Sequence, residues 1–317
     1  MKIQSIKKDS VEYEVERIVE EQLFEEQKNG TPLVHFLTYA NLLKELLPLS
    51  KQFDCYDIWK KYRKEVLIEN WYKQGNEKFN LKDSVIGFEK VLKHIDEGGF
   101  ICSFHYGNYR SLYRAVIEKM LELAPNKKVM IIVDHPSFID EPESNKSIEQ
   151  VKYFISEDVS IAFDIMEYIS HGDWVAIFLD GNSGVGKNRK PIQLKFLSSQ
   201  IQIRSGIFRI MERTGKPVFP ILAEGKVDSN FFQIYENINV NATAQILTER
   251  CYDVLRQKLL QAPQYWRLWD RLHCEVVEWS EMNSNSEVDL SEMSAFDEER
   301  ILKIDKNTGK IYRVKSK

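Results

Sequence analysis

His105 stands where the apolar run 100–104 gives way to Tyr106-Gly107-Asn108-Tyr109-Arg110. A neutral imidazole at such a junction can take a proton from an alcohol or an amine. Gly107, without a side chain, lets a substrate approach the backbone. A lone histidine is as readily explained by a bond to a local backbone group, so the acids placed like it along the chain matter. Asp134 follows the apolar run 128–133, and Asp180 follows 174–179 and leads into Gly181-Asn182-Ser183.

These positions imply the elements that must hold them. From Gly98-Gly99 onward, short apolar runs alternate with helical patterns. Strands are expected at 100–104, 128–133, 159–162, 174–179 and 217–222, with helices at 109–123, 147–155, 164–171 and 201–214. Such alternation predicts an α/β fold with a mainly parallel, doubly wound sheet flanked by helices. An antiparallel strand at 231–238 and a long helix at 242–261 complete it. In an open parallel sheet ligands bind beyond the carboxyl ends of the strands, and there His105, Asp134 and Asp180 would gather. The first 97 residues read as all-helical, with helices at 9–28, 33–47, 56–74 and 85–97. Their aromatic residues, Trp59, Tyr62, Trp71 and Tyr72 among them, read as helix-packing core.

Several blocks occur in a telling order: His105-Tyr106-Gly107-Asn108-Tyr109; Phe178-Leu179-Asp180-Gly181-Asn182; Phe196 with Ser205-Gly206; Arg213-Thr214-Gly215-Lys216-Pro217-Val218-Phe219-Pro220; and Gln264-Tyr265-Trp266-Arg267-Leu268-Trp269. Over residues 90 to 273 this order resembles the lysophospholipid acyltransferase superfamily, in particular the branch of the late acyltransferases of lipid A biosynthesis. The resemblance implies transfer of a fatty acyl group from an acyl thioester, on acyl carrier protein or coenzyme A, to a hydroxyl or amine. No tightly bound cofactor is implied. It makes His105 the general base, with Asn108 and Tyr109 on the substrate side. It also allows peripheral contact with the inner face of a membrane.

One position departs from the pattern. The family's carboxylate five residues after the histidine is here Arg110, a cation that would disfavour the imidazolium and cannot accept a ring N–H. Three readings stay open. Asp180 or Asp134 replaces the missing acid; Arg110 binds a substrate carboxylate or phosphate, giving an unusual acceptor; or transfer is impaired and the chain only binds acyl chains or carrier protein.

The basic stretch Lys187, Arg189, Lys190, Lys195, Arg204, Arg209 and Arg213 could hold the phosphates of a phosphopantetheine or coenzyme A. Arg204 and Lys187 are the candidates, with Arg204 expected on a helix. Gly181 to Lys187 also matches the G-x-x-x-x-G-K spacing of a phosphate-cradling loop, which makes nucleotide binding a rival function. Asn188 in place of the Mg²⁺-binding Ser/Thr, and Pro191 soon after it, count against that rival. Cys102 and His105 should point to opposite faces of a strand, so Cys102 reads as core and not as a nucleophile. The four cysteines lack C-x-x-C spacing and read as reduced, buried thiols, and no metal-ligand spacing is evident.

With 317 residues, 43% hydrophobic and 29% charged, and a net charge of −4, the composition excludes disordered, collagen-like and disulfide-scaffold classes. It also makes nucleic acid a poor partner, because binding phosphates needs a concentrated cationic surface. No signal peptide or membrane span is expected, which points to the cytoplasm. The expected organisation is a helical section at 1–97, an acyltransferase-like α/β domain at 98–274 and a charged tail at 275–317. Nine acids and no base in 275–299 read as a linker, whereas the alternating apolar residues of 301–314 around Asn307-Thr308-Gly309 carry a hairpin signal.

Overall fold

The computed structural model describes residues 8–73, 84–140, 148–186, 190–224, 231–238, 241–280, 288–297 and 300–314. The elements in chain order are α1 (Lys8–Asn29), α2 (Leu33–Leu46), α3 (Cys55–Lys73), β1 (Ser84–Ile86), α4 (Phe88–Leu92), β2 (Gly99–Ser103), α5 (Tyr109–Leu123), β3 (Val129–Val133), α6 (His135–Asp140) and β4 (Val151–Ile155). Then come α7 (Ile161–Ser170), β5 (Trp174–Phe178), β6 (Ile192–Lys195), β7 (Gln200–Ile203), α8 (Gly206–Thr214), β8 (Val218–Glu224), β9 (Phe231–Ile234), α9 (Ala244–Gln261), β10 (Val276–Glu278), β11 (Leu290–Asp297), β12 (Arg300–Asp305) and β13 (Ile311–Val314). The chain divides into two compact units that do not follow chain order. One gathers residues 1–80, 195–201 and 262–317; the other gathers 81–194 and 202–261.

The first unit is built on helices. Val11, Val15, Val19 and Leu23 of α1 recur every four residues and are buried, giving the helix an apolar stripe. Asn29-Gly30 ends it, with Gly30 at φ +85° and the Phe296 ring in the space a Cβ would need. Trp59 and Tyr62 of α3 and Phe36, Leu42 and Leu46 of α2 are buried in the same core. A fully buried aromatic or leucine side chain contributes about 1.5–3 kcal/mol. The hairpin expected at 301–314 is present as β12 and β13, and Leu290–Asp297 adds a third antiparallel strand. The acidic stretch expected to be a linker is therefore partly sheet: Leu302, Ile304 and Ala295 are buried, so strand pairing and burial outweigh the charge run.

The second unit is α/β, with a seven-stranded sheet in the order β1-β9-β8-β2-β5-β3-β4. β8, β2, β5, β3 and β4 run parallel, β9 runs antiparallel to β8, and β1 pairs parallel with β9. Near-continuous apolar strands such as Gly99–Ser103, buried throughout, are what a sheet covered on both faces requires. On one face Leu112, Val116 and Met120 of α5 pack with Ile101, Ile131 and Ala176; on the other Phe104 meets Tyr252 of α9 edge-on at 5.1 Å.

Four local expectations are corrected. Residues 151–155 form strand β4, not the end of a helix, because Val-Lys-Tyr-Phe-Ile pairs in register with Val129–Val133. Residues 159–162 are no strand: Ile161 already opens α7. Residues 200–203 form a strand, and the helix begins only at Gly206. The helical reading fails at Ser84–Ile86, which pairs with Phe231–Gln233, before Gly87 at φ +81° turns the chain into short α4.

Candidate functional site

The site lies at the carboxyl ends of β2 and β5. These neighbours pair in parallel with Ser103 opposite Phe178, and the Leu179 N–H donates to the Ser103 carbonyl at 2.8 Å. Two residues further along each chain stand His105 and Asp180, so the register itself sets them side by side. The chain leaving β2 goes on to β3, beyond β5, whereas the chain leaving β5 reaches β8, beyond β2. Adjacent strands whose connections diverge leave a crevice at their carboxyl ends, the usual ligand position in open α/β sheets.

His105 Nδ1 lies 2.7 Å from Asp180 Oδ1, and the same carboxylate accepts the His105 backbone N–H at 3.0 Å. The Asp180 side chain is 2% exposed and the imidazole 22%, so the acid is sealed and the ring is not. A carboxylate at Nδ1 fixes the tautomer with its proton there and leaves Nε2 as the nitrogen able to accept one. Aromatic packing holds the ring: Phe178 at 4.7 Å and Tyr109 at 4.9 Å between centres, with Tyr113 behind Phe178 at 4.6 Å. Gly181 backs it, where a Cβ would sit 3.8 Å from His105 Cε1. Gly107, at φ +58°, provides the left-handed step between β2 and α5.

His105 opens on a cavity of about 900 Å³, within the range of small-molecule sites. Its walls are largely apolar, with Ile117 and Leu121 from α5, Ile131 from β3, Ile165 from α7 and Ile207 from α8. Its polar lining includes the cations Arg110, Arg114, Lys190, Arg204 and Arg209 and the acids Glu118 and Asp134.

Of the residues singled out in the sequence, the structure brings together His105, Asp180, Asp134, Tyr109, Arg110 and Arg204 at or around this cavity. Asp180, not Asp134, holds Nδ1; Asp134 accepts the Ser137 N–H at 2.9 Å and caps the turn opening α6. Asn108 precedes α5 and is not among the residues lining the cavity. Lys187 lies outside the described residues. Arg204 is not on a helix but between β7 and α8. Its Nε donates to the Asn182 carbonyl at 2.8 Å and its Nη2 to the Gly186 carbonyl at 3.0 Å, while its backbone N–H donates to Asn182 Oδ1 at 2.9 Å. It thus staples the loop after Asp180, where Asn182 sits at φ +49°. Phe178 was not singled out, although its place two residues before Asp180, on the same strand face, is a legible signal.

The other sequence signals resolve as follows. Beyond Gly181–Gly186, residues 192–195 form a strand, so the helix that a phosphate-cradling loop must feed is not there. Cys102 is fully buried beside Cys251, and burial pushes its thiol well up, which suits core and not a nucleophile. All four cysteines are free, but Cys274 is exposed, contrary to the expectation of buried thiols. The Gln264–Trp269 block sits in the core of the first unit: Arg267 pairs with Glu69 at 2.7 Å, and the Trp269 carbonyl accepts from Asn41 at 2.7 Å. Among the described residues no group of three or more His, Cys, Asp or Glu could hold a metal ion, and no helix is long and apolar enough to cross a membrane. No protein-family model matches the chain, and no curated protein sequence matches it either.

Proposed function

We propose that the protein is an acyltransferase that moves a fatty acyl group from an acyl thioester, on acyl carrier protein or coenzyme A, to a hydroxyl or amine. The observation that carries this reading is the His105–Asp180 pair, 2.7 Å apart at the mouth of a largely apolar cavity. Nε2 of His105 takes the proton of the acceptor as its heteroatom attacks the thioester carbonyl. Asp180 holds the ring and stabilises the imidazolium. Collapse of the tetrahedral intermediate breaks the C–S bond, and the imidazolium returns its proton to the departing thiolate. Asp180 takes the part of the acid that the family resemblance places five residues after the histidine, which relieves Arg110 of that role. The apolar walls suit the acyl chain, and Lys190 and Arg209 suit the donor's phosphates or an acidic carrier surface. The reaction fits the cytoplasm, at the inner membrane face where the acceptor is a lipid.

The test is intact-mass detection of acyl product from acyl carrier protein and coenzyme A thioesters, with wild type, His105→Ala, Asp180→Asn and Asp134→Asn. Loss with His105→Ala and Asp180→Asn, and retention with Asp134→Asn, is expected. Undiminished transfer by His105→Ala ends the catalytic reading; undiminished transfer by Asp180→Asn removes Asp180 as the orienting acid.

A further inference from the structure

Within this acyl-transfer reading, on which the inference rests, we infer that the acceptor is a small molecule bearing an anionic group, carboxylate or phosphate, a few bonds from the acylated hydroxyl or amine, and that Arg110 recognises that group. Arg110 opens α5, is exposed, and lines the same cavity as His105. Its guanidinium carbon lies 5.2 Å from the Tyr109 ring centre, and that centre lies 4.9 Å from the imidazole centre, so cation and base are no more than about 10 Å apart. Contacts of about 2.8–3 Å at either end leave room for only a few bonds between the anion and the attacking atom. A guanidinium stacked on a ring uses its face for that contact, and its N–H fork is the part that matches a carboxylate or phosphate bidentately.

The neighbouring cations are differently engaged. Arg204 is spent on the Asn182 and Gly186 carbonyls, Arg209 Nε donates to Ser205 Oγ at 3.1 Å, and Arg114 lies 4.0 Å from Glu118. Of the lining cations, Arg110 is the one tied through a shared aromatic ring to the base. With five cations against two acids among the described lining residues, the mouth favours an anion over a neutral or cationic acceptor.

The experiment compares matched acceptors with the full-length protein and one acyl thioester donor. Serine against serine amide reads the carboxylate; phosphoethanolamine against ethanolamine reads the phosphate. The quantity is the ratio of kcat/KM for the anionic acceptor to that for its neutral partner, in wild type, Arg110→Gln and Arg110→Lys. Because it is a ratio, effects on folding or donor binding cancel. A ratio above about tenfold in either arm, collapsing toward unity in Arg110→Gln and partly kept in Arg110→Lys, supports the inference and says which anion is read. A ratio near unity in both arms, one unchanged by Arg110→Gln, or His105-dependent thioester hydrolysis with no acceptor acylated overturns it while leaving the acyl-transfer reading standing. Absence of any His105-dependent thioester consumption instead removes the reading beneath it.

Discussion

Two histidines, one in each unit, show how the same side chain is made inert or chemically useful. His35, on α2, is two-thirds buried beside the cationic Arg63, and burial and that charge push it down to about 4. It is neutral at physiological pH, with no carboxylate to orient it. His105, on the rim of the sheet, meets a sealed carboxylate at 2.7 Å and keeps a fifth of its ring toward a cavity. The difference is one of partners: a cation beside a half-buried imidazole suppresses the proton, whereas a buried acid at one nitrogen prepares the other to accept it.

The largest effect should come from breaking the charge beside His35. Arg63 is 2% exposed and donates to both carboxylate oxygens of Glu26, at 2.7 and 2.8 Å, and to Gln22 at 2.8 Å. Arg63→Met should cost about 3–5 kcal/mol in chemical denaturation, since it strands a carboxylate among apolar side chains. An unchanged midpoint would show that this pair is not a structural keystone. On the catalytic side, Asp180→Asn should lower the rate of thioester consumption about a hundredfold, or about 2.7 kcal/mol of barrier, without a comparable loss of folding stability. Equal losses in both quantities would make Asp180 merely structural.

Next comes pH. His35 has its folded value depressed to about 4 from 6.5, so the folded state favours the neutral ring. The unfolded chain binds the proton first, so this stability is complete above about 6.5 and is lost as pH falls toward 4. Denaturation of His35→Gln across that window should show a flatter pH dependence than wild type; parallel curves would contradict the assignment. Smaller again, Arg204→Met should cost about 1–2 kcal/mol and speed amide exchange in 182–186, since the two carbonyls it holds lose their donor. Unaltered exchange there would mean that the loop holds itself.

The α/β class, the rim position of His105 and the candidacy of Asp180 were legible because strand-end residues follow from apolar runs and their stops. The pairing of His105 with Asp180 over Asp134 was not, since it depends on which strands are neighbours and in what register, which pairing across 75 residues decides. Arg204 was misplaced for a related reason: Gln-Ile-Gln-Ile fits helix or strand, and pairing of Ile201 with Val276 makes it a strand. The acidic residues before Leu290 masked a strand because charge composition speaks of solvation and not of the apolar alternation beneath it. His35 gave no signal at all: its neighbour Arg63 lies a helix away in sequence.

The most direct test of the His105–Asp180 account is thiol release from an acyl thioester with acceptor present, followed for wild type and for His105→Gln with matched unfolding midpoints. The account predicts release by wild type and a loss of about 10² to 10⁴-fold in the variant. Equal release by the two folded proteins, or none by wild type, would contradict it.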